Sequence, residues 1–390
     1  MGIKALSKFL RESYPDIFEL IHISEYHFKK IAIDTSLYLC NYKALYGEEG
    51  WLGAFVKLVA CLRENEIHCV FIYDSGFPPE KEAERKERME ARLRLEERVS
   101  NLERAIEHYH NTGEIEEILL DFQSKKRLHQ KSMLRPRSVN INAIEFAVKK
   151  MRKQLFSISY RDFVTTKQLF DILKVPYYHA PLEAETMCAD LCMQGKVDAV
   201  LSEDTDVLAY GANTFLTKIN TTTGTCIRLK HVDMLNRLGV NANEFLDFCI
   251  MCGTDYNKNI FKIGPSKALK LIEQYKNIEK VHEETKIDIS ILNHVRVRQL
   301  FREFKKSTVE IPYCGAPEFD VLQNFLVKKN LHLNVDSLKK SFLHNTIVFE
   351  DDDESDKKSN EVDINNFNES DKKSNEIDVN DFNEQVIIED

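Results

Sequence analysis

The chain has 390 residues, 43% hydrophobic and 30% charged, with nine cysteines and a formal net charge of −9. That length supports one large globular domain or two intimate ones. No apolar run approaches the ~18 residues of a membrane span, the opening MGIKALSKFL lacks a secretory pattern, and the odd count of scattered cysteines points to reduced thiols in an intracellular protein.

In chain order, Lys30–Asp34 (KIAID) predicts a first strand, followed by helical spacing over 53–66. Cys69–Asp74 (CVFIYD) predicts a second strand, and residues 80–98 a highly charged helix with few apolar anchors. Residues 101–165 interrupt this rhythm with a helical, polar and finally basic insertion. Within it, residues 125–161 carry eleven Lys or Arg against Glu145 alone, a local charge of +10. Such a patch suits a polyanion, and it is also what a solvated helix face looks like. A helix over 183–194 and a third strand at Val197–Ser202 (VDAVLS) resume the alternation.

From Val232 the chain reads as helices to about Phe342, with Gly264-Pro265 between two of them. Cys249 and Cys252 lie in that apolar stretch without a second pair at zinc-site spacing, so core thiols are expected. Residues 354–368 and 369–383 are a near-perfect tandem copy, and residues 350–390 hold sixteen acids and four lysines. Such a segment buries too little apolar surface to order itself. The strand–helix alternation predicts an α/β fold with a mostly parallel central sheet and helices on both faces.

Acids stand where the strands end: Asp34, Asp74, and Asp204 with Asp206; Asp255 follows the apolar run FLDFCIMCG. Ligands of open α/β sheets bind beyond the carboxyl ends of the strands, while a single Asp there is also an ordinary helix cap. Glu183 and Glu185 form another pair after Pro181, at a spacing that converges in a loop-to-helix junction; Asp204 and Asp206, just after a strand, are expected to share one face. Seven converging carboxylates would repel one another into partial protonation unless hard cations held them, and Mg²⁺ is the usual choice. Two such ions can activate water and stabilise the leaving oxygen of a phosphodiester. Acid cluster and basic patch together suggest a nuclease.

The motifs MGIKAL, IAIDTS, FIYDSGFPPEK, PYYHAPLEAET, LSEDTDVLAYG and CGTDYNKNIFKIGPSKAL follow one another in the order found in the flap endonuclease/XPG family of structure-specific 5′ nucleases. The chain resembles that family from Met1 to roughly residue 345. The resemblance implies that Asp34, Asp74, Glu183, Glu185, Asp204, Asp206 and Asp255 gather around two metal ions, usually Mg²⁺. It implies a catalytic role for Lys81 and Arg88, aimed at the scissile phosphate. Residues 101–165 take the place of a helical arch that handles a free 5′ end, with Lys125, Lys126, Arg127 and Lys131 as candidate phosphate contacts. IFKIGPSKALKL resembles a helix–two-turn–helix element, where Gly264, Lys267, Lys270 and a monovalent cation would hold duplex. Gly2 matches an N-terminal residue near the substrate.

The expected organisation is therefore residues 1–100 as the N-terminal part of a nuclease domain and 101–165 as the basic arch. Residues 166–345 form the internal part, with the helix–two-turn–helix element and C-terminal helices, and 350–390 a disordered acidic tail. The expected partner is DNA with 5′ flaps, gaps or ends, cut in replication or repair by a nuclear monomer. Two alternatives stay open: an RNA-degrading nuclease, since SKFLRESYP is similar to the start of XRN-type 5′ exoribonucleases, and a silent module binding branched nucleic acid. The chain departs from the family pattern at three places. Cys40 stands where a base-stacking aromatic or His is usual, and Lys262 where glycine is usual. No Gln-x-x-Leu-x-x-Phe-Phe-like motif stands near the C-terminus, so sliding-clamp binding is not expected.

Overall fold

The structure, a computed structural model, describes residues 2–128 and 139–343. Among the described residues seven strands form one sheet: β1 (Glu19–His22), β2 (Lys30–Asp34), β3 (His68–Tyr73), β4 (Tyr177–His179), β5 (Ala199–Leu201), β6 (Thr214–Asn220) and β7 (Thr225–Lys230). Their order is β1-β7-β6-β5-β2-β3-β4. The five strands β6-β5-β2-β3-β4 are parallel, and β7 and β1 extend one edge antiparallel.

The parallel strands read as unbroken apolar runs because both their faces are covered. Ile31 and Ile33, Cys69, Phe71 and Tyr73, and Ala199 and Leu201 enter one core layer. Helices Thr35–Glu64, Tyr160–Leu173, Phe319–Lys328 and Val335–Leu343 pack into that layer. The alternate residues Ala32, Val70, Ile72 and Val200 enter the other layer, with Leu6–Ser13, Ala184–Met193, Ala242–Cys252 and Pro265–Tyr275. Cys249 and Cys252 are buried there, as expected of core thiols.

The chain passes from β2 to β3 and β4 on one side, then returns to place β5 on the other side of β2. That reversal opens a crevice beyond the carboxyl ends of β2 and β5, the place where α/β sheets bind ligands.

The charged helix runs from Glu82 to Thr112, well past residue 98 and past 101, where the insertion was expected to begin. Its fully buried residues start only at Val99; Gly113, at φ +77°, ends it. Val99, Leu102 and Ile106 pack with Leu119, Ile144 and Val148 from helices Glu117–Leu128 and Ile141–Lys153, so the insertion has a small core of its own. Lys131 and the repeat tail 350–390 lie outside the described residues. Of Lys125, Lys126 and Arg127 only the helical backbone is described.

Candidate active site

All seven predicted carboxylates lie at the crevice end of the sheet or on the segments that close it. Asp34 ends β2 and caps the following helix, its Oδ1 accepting from the Leu37 N–H at 3.0 Å. The ordinary capping role and the candidate ligand role thus fall on one residue. Asp74 follows β3 and accepts from the Ala184 N–H at 2.7 Å, which ties the end of β3 to the start of helix Ala184–Met193. That helix begins directly after Glu183 and carries Glu185 in its first turn, so the pair converges at a loop-to-helix junction.

Asp204 and Asp206 do not share a strand face. β5 ends at Leu201, and the Asp206 N–H donates to Asp204 Oδ1 at 2.9 Å in a tight turn that starts a short helix. The turn brings the two carboxyls together by a local hydrogen bond, the competition with strand geometry that Asp favours. Asp255 comes from the loop after Ala242–Cys252. Six of the seven are buried; Asp74 is exposed.

Lys81 stands among them. Its Nζ is 2.5 Å from Glu183 Oε1, 3.0 Å from Asp255 Oδ2 and 3.6 Å from Glu185 Oε1. Burial pulls this ammonium down, but Glu185, Asp255 and Glu183 outweigh it and hold it above its ordinary value. Arg88 Nη2 lies 3.1 Å from Asp255 Oδ2, and its Nε pairs with Glu84 one turn earlier on the same helix. Both predicted cations therefore face the carboxylates.

The cluster remains short of positive charge. Burial first, then Asp74, pushes the Asp34 carboxyl well above the usual range. Burial raises Glu185 as well, with Lys81 opposing and Glu183 adding to the rise. Asp206 is raised by burial, then by Asp204 and Asp255, and both its carboxylate oxygens are buried without a hydrogen-bond partner. Among the described residues no three His, Cys, Asp or Glu side chains stand close enough together to hold an ion as placed. Lys81 fills part of that role. An all-oxygen donor set with an orphaned buried carboxylate fits a hard divalent cation.

Gly2 lies against this cluster. A Cβ on it would stand 2.1 Å from Asp204 Oδ1 and 2.7 Å from Asp206 Oδ1, and its φ of +86° favours glycine. The Ile3 N–H donates to Thr205 Oγ1 at 3.1 Å, fixing the N-terminal segment there. Gly264 caps helix Pro265–Tyr275, whose exposed Lys267 and Lys270 lie three residues apart on one face. With Lys8 of helix Leu6–Ser13 they line a groove of about 510 Å³.

The insertion is less uniformly basic in space than in sequence. Lys149, Arg152 and Lys153 line a groove of about 820 Å³, but Glu96, Glu103 and Glu107 of the long helix line it too. Cys40 is half-buried, and burial with Asp34 and Asp74 pushes its thiol up to about 12. Tyr38 and Tyr42 beside it are buried, so neither offers a ring to a base.

Two residues were not singled out from the sequence. The Tyr256 hydroxyl donates to Glu183 Oε2 at 2.6 Å, and Tyr210 lies 2.6 Å from the Tyr256 hydroxyl, a buried chain that holds Glu183 in place. Both sit inside quoted motifs, Tyr210 four residues after Asp206 and Tyr256 directly after Asp255. A tyrosine next to a predicted ligand was the available signal.

Comparison with known proteins finds two family models and several relatives. The model of the XPG N-terminal domain matches residues 1–95, and that of the XPG I-region residues 174–255. A probable RAD2-like endonuclease, 369L, of Invertebrate iridescent virus 6 is 31% identical over 94% of this chain and 98% of its own length. Flap endonuclease 1-B of Physcomitrium patens is 29% identical over 85% of this chain and 90% of its own. The catalytic core of Rad2, solved in complex with DNA substrate, superposes with a TM-score of 0.59 at 14% identity, covering 88% of this chain and 99% of that one, a likeness of fold.

Proposed function

Because the chain belongs to the flap endonuclease/XPG family, we propose that it is a structure-specific 5′ nuclease that hydrolyses phosphodiesters of flapped, gapped or 5′-ended DNA with Mg²⁺. The observation that carries this reading is the mostly buried acid cluster at the sheet's switch point, with Lys81 and Arg88 against it and the Asp206 carboxylate left without a hydrogen-bond partner.

Glu183, Glu185 and Asp204 would hold one ion more directly, and Asp34, Asp74, Asp206 and Asp255 a second, in part through water. Divalent ions bound there supply Lewis acidity and lower the pKa of water, the usual route to phosphodiester hydrolysis at neutral pH. The chain's own groups do the rest. Tyr256 fixes the rotamer of Glu183 through its hydrogen bond. Lys81 balances Glu183 and Asp255 and, with Arg88, offers positive charge where negative charge grows on a phosphoryl group. Gly2 keeps the approach to Asp204 and Asp206 narrow and free of side chain.

The test compares labelled substrates with purified protein in Mg²⁺: a 5′-flap duplex, the same duplex with an RNA flap, and a 3′-flap duplex. Cutting at the 5′-flap junction in preference to the 3′ flap is expected. Preference for the RNA flap would move the substrate class to RNA, and equal cutting of all three would remove the structure specificity.

A further inference from the structure

The inference concerns the loop between helices Ala242–Cys252 and Pro265–Tyr275 and rests on the reading of that element as a duplex contact. The resemblance implies a monovalent cation there, which would use backbone oxygens of the loop. In this chain one side-chain amide already serves them. Asn259 Nδ2 donates to the carbonyl oxygens of Ile260 and Ile263, at 3.4 Å each. The Ile260 carbonyl also accepts from the Ile263 N–H at 3.0 Å, closing the turn. The two oxygens thus face the same pair of partly positive amide hydrogens.

The residues around the turn add to the misfit. Lys262, between the two isoleucines, takes φ +60°, so a side chain bearing an ammonium occupies the left-handed position where the family usually has glycine. Lys262, Lys267 and Lys270 set three exposed cationic side chains on one element. The resemblance itself pairs Lys267 and Lys270 with the cation, so Lys262 is the added charge. Phe261, 82% exposed, lies beside the turn and sits under Lys262 Nζ at 5.1 Å.

We propose that the Asn259 amide stands in place of a monovalent cation in this loop, so that the chain holds duplex through its own groups and without a bound monovalent ion.

The test is fluorescence anisotropy of a labelled blunt DNA duplex with the full chain in EDTA, which separates binding from cutting. KCl is compared with tetramethylammonium chloride at equal ionic strength. The wild-type dissociation constant is expected to agree within twofold between the two salts. Asn259→Ala frees the two carbonyls, and is expected to bind at least fivefold more weakly in tetramethylammonium and to regain affinity in KCl. A wild type at least fivefold weaker in tetramethylammonium would overturn the proposal, since the amide would then turn over to share an ion. An alanine variant equal to wild type in both salts would overturn it as well. The wild-type comparison stands even where the variant does not fold. Failure of the wild type to bind duplex in either salt would overturn the reading of the element itself, and the proposal with it.

Discussion

Lys81 is the residue on which the balance of the site turns. A half-buried ammonium within 3.0 Å of Glu183 and Asp255 cannot be removed without leaving buried carboxylates uncompensated, a loss of about 3 kcal/mol for a broken buried pair. Lys81→Met is expected to lower the unfolding midpoint in EDTA and to gain more from added Mg²⁺ than wild type does. Differential scanning calorimetry in both buffers checks this, and equal gains for the two proteins would count against a cation-poor cluster. Tyr256 acts one step further out. Losing a hydrogen bond to a carboxylate costs on the order of 1.5 kcal/mol, so Tyr256→Phe is expected to slow flap cutting about tenfold, with the dissociation constant for the flap substrate unchanged. A weaker flap affinity at an unchanged rate would assign Tyr256 to binding instead.

The elements divide into those that declared themselves and those that did not. β2, β3 and β5 are buried along nearly their whole length and therefore mostly apolar, which made KIAID, CVFIYD and VDAVLS legible, although β5 itself covers only Ala199–Leu201. β1 and β4 are only four and three residues long with mostly exposed or half-exposed side chains, so no alternation could mark them. The β6–β7 hairpin hid in a run of threonines. The long charged helix read as ending near 98 because its buried residues begin where its charge pattern stops. In the C-terminal bundle, Arg298 bridges Asp247 and Glu279, with Nη1 2.6 Å from Glu279 Oε1. The Arg298 hydrogen bond, against a smaller opposing effect of burial, holds Glu279 at about 2, below its usual 4.5. A depressed folded-state value stabilises above pH 4.5, and that contribution is lost as pH falls towards 2. Glu279→Gln is therefore expected to flatten the fall of the unfolding midpoint between those pH values. A variant that falls as steeply as wild type would place the acid sensitivity elsewhere.

At the scale of the whole molecule, the sequence showed which acids to watch but not how they meet. Asp34 and Asp74 were legible as strand ends, and the switch between β2 and β5 explains why Asp204 joins them. The turn that pairs Asp204 with Asp206, and Lys81 reaching across to Glu183, depend on contacts more than 100 residues apart or on local hydrogen bonds with no periodic signature. The glutamates of the long helix that offset the basic insertion were equally hidden, because charge counted along the chain ignores what packs across it. The central claim is that this one cluster cuts nucleic acid with the help of divalent ions. Its most direct test is a 5′-labelled flap duplex incubated with wild type in Mg²⁺, wild type in EDTA, and Asp204→Ala in Mg²⁺. Junction cutting in the first alone is the predicted result. Cutting that survives EDTA or the loss of Asp204, or tight binding without cutting by wild type in Mg²⁺ and in Mn²⁺, would contradict it.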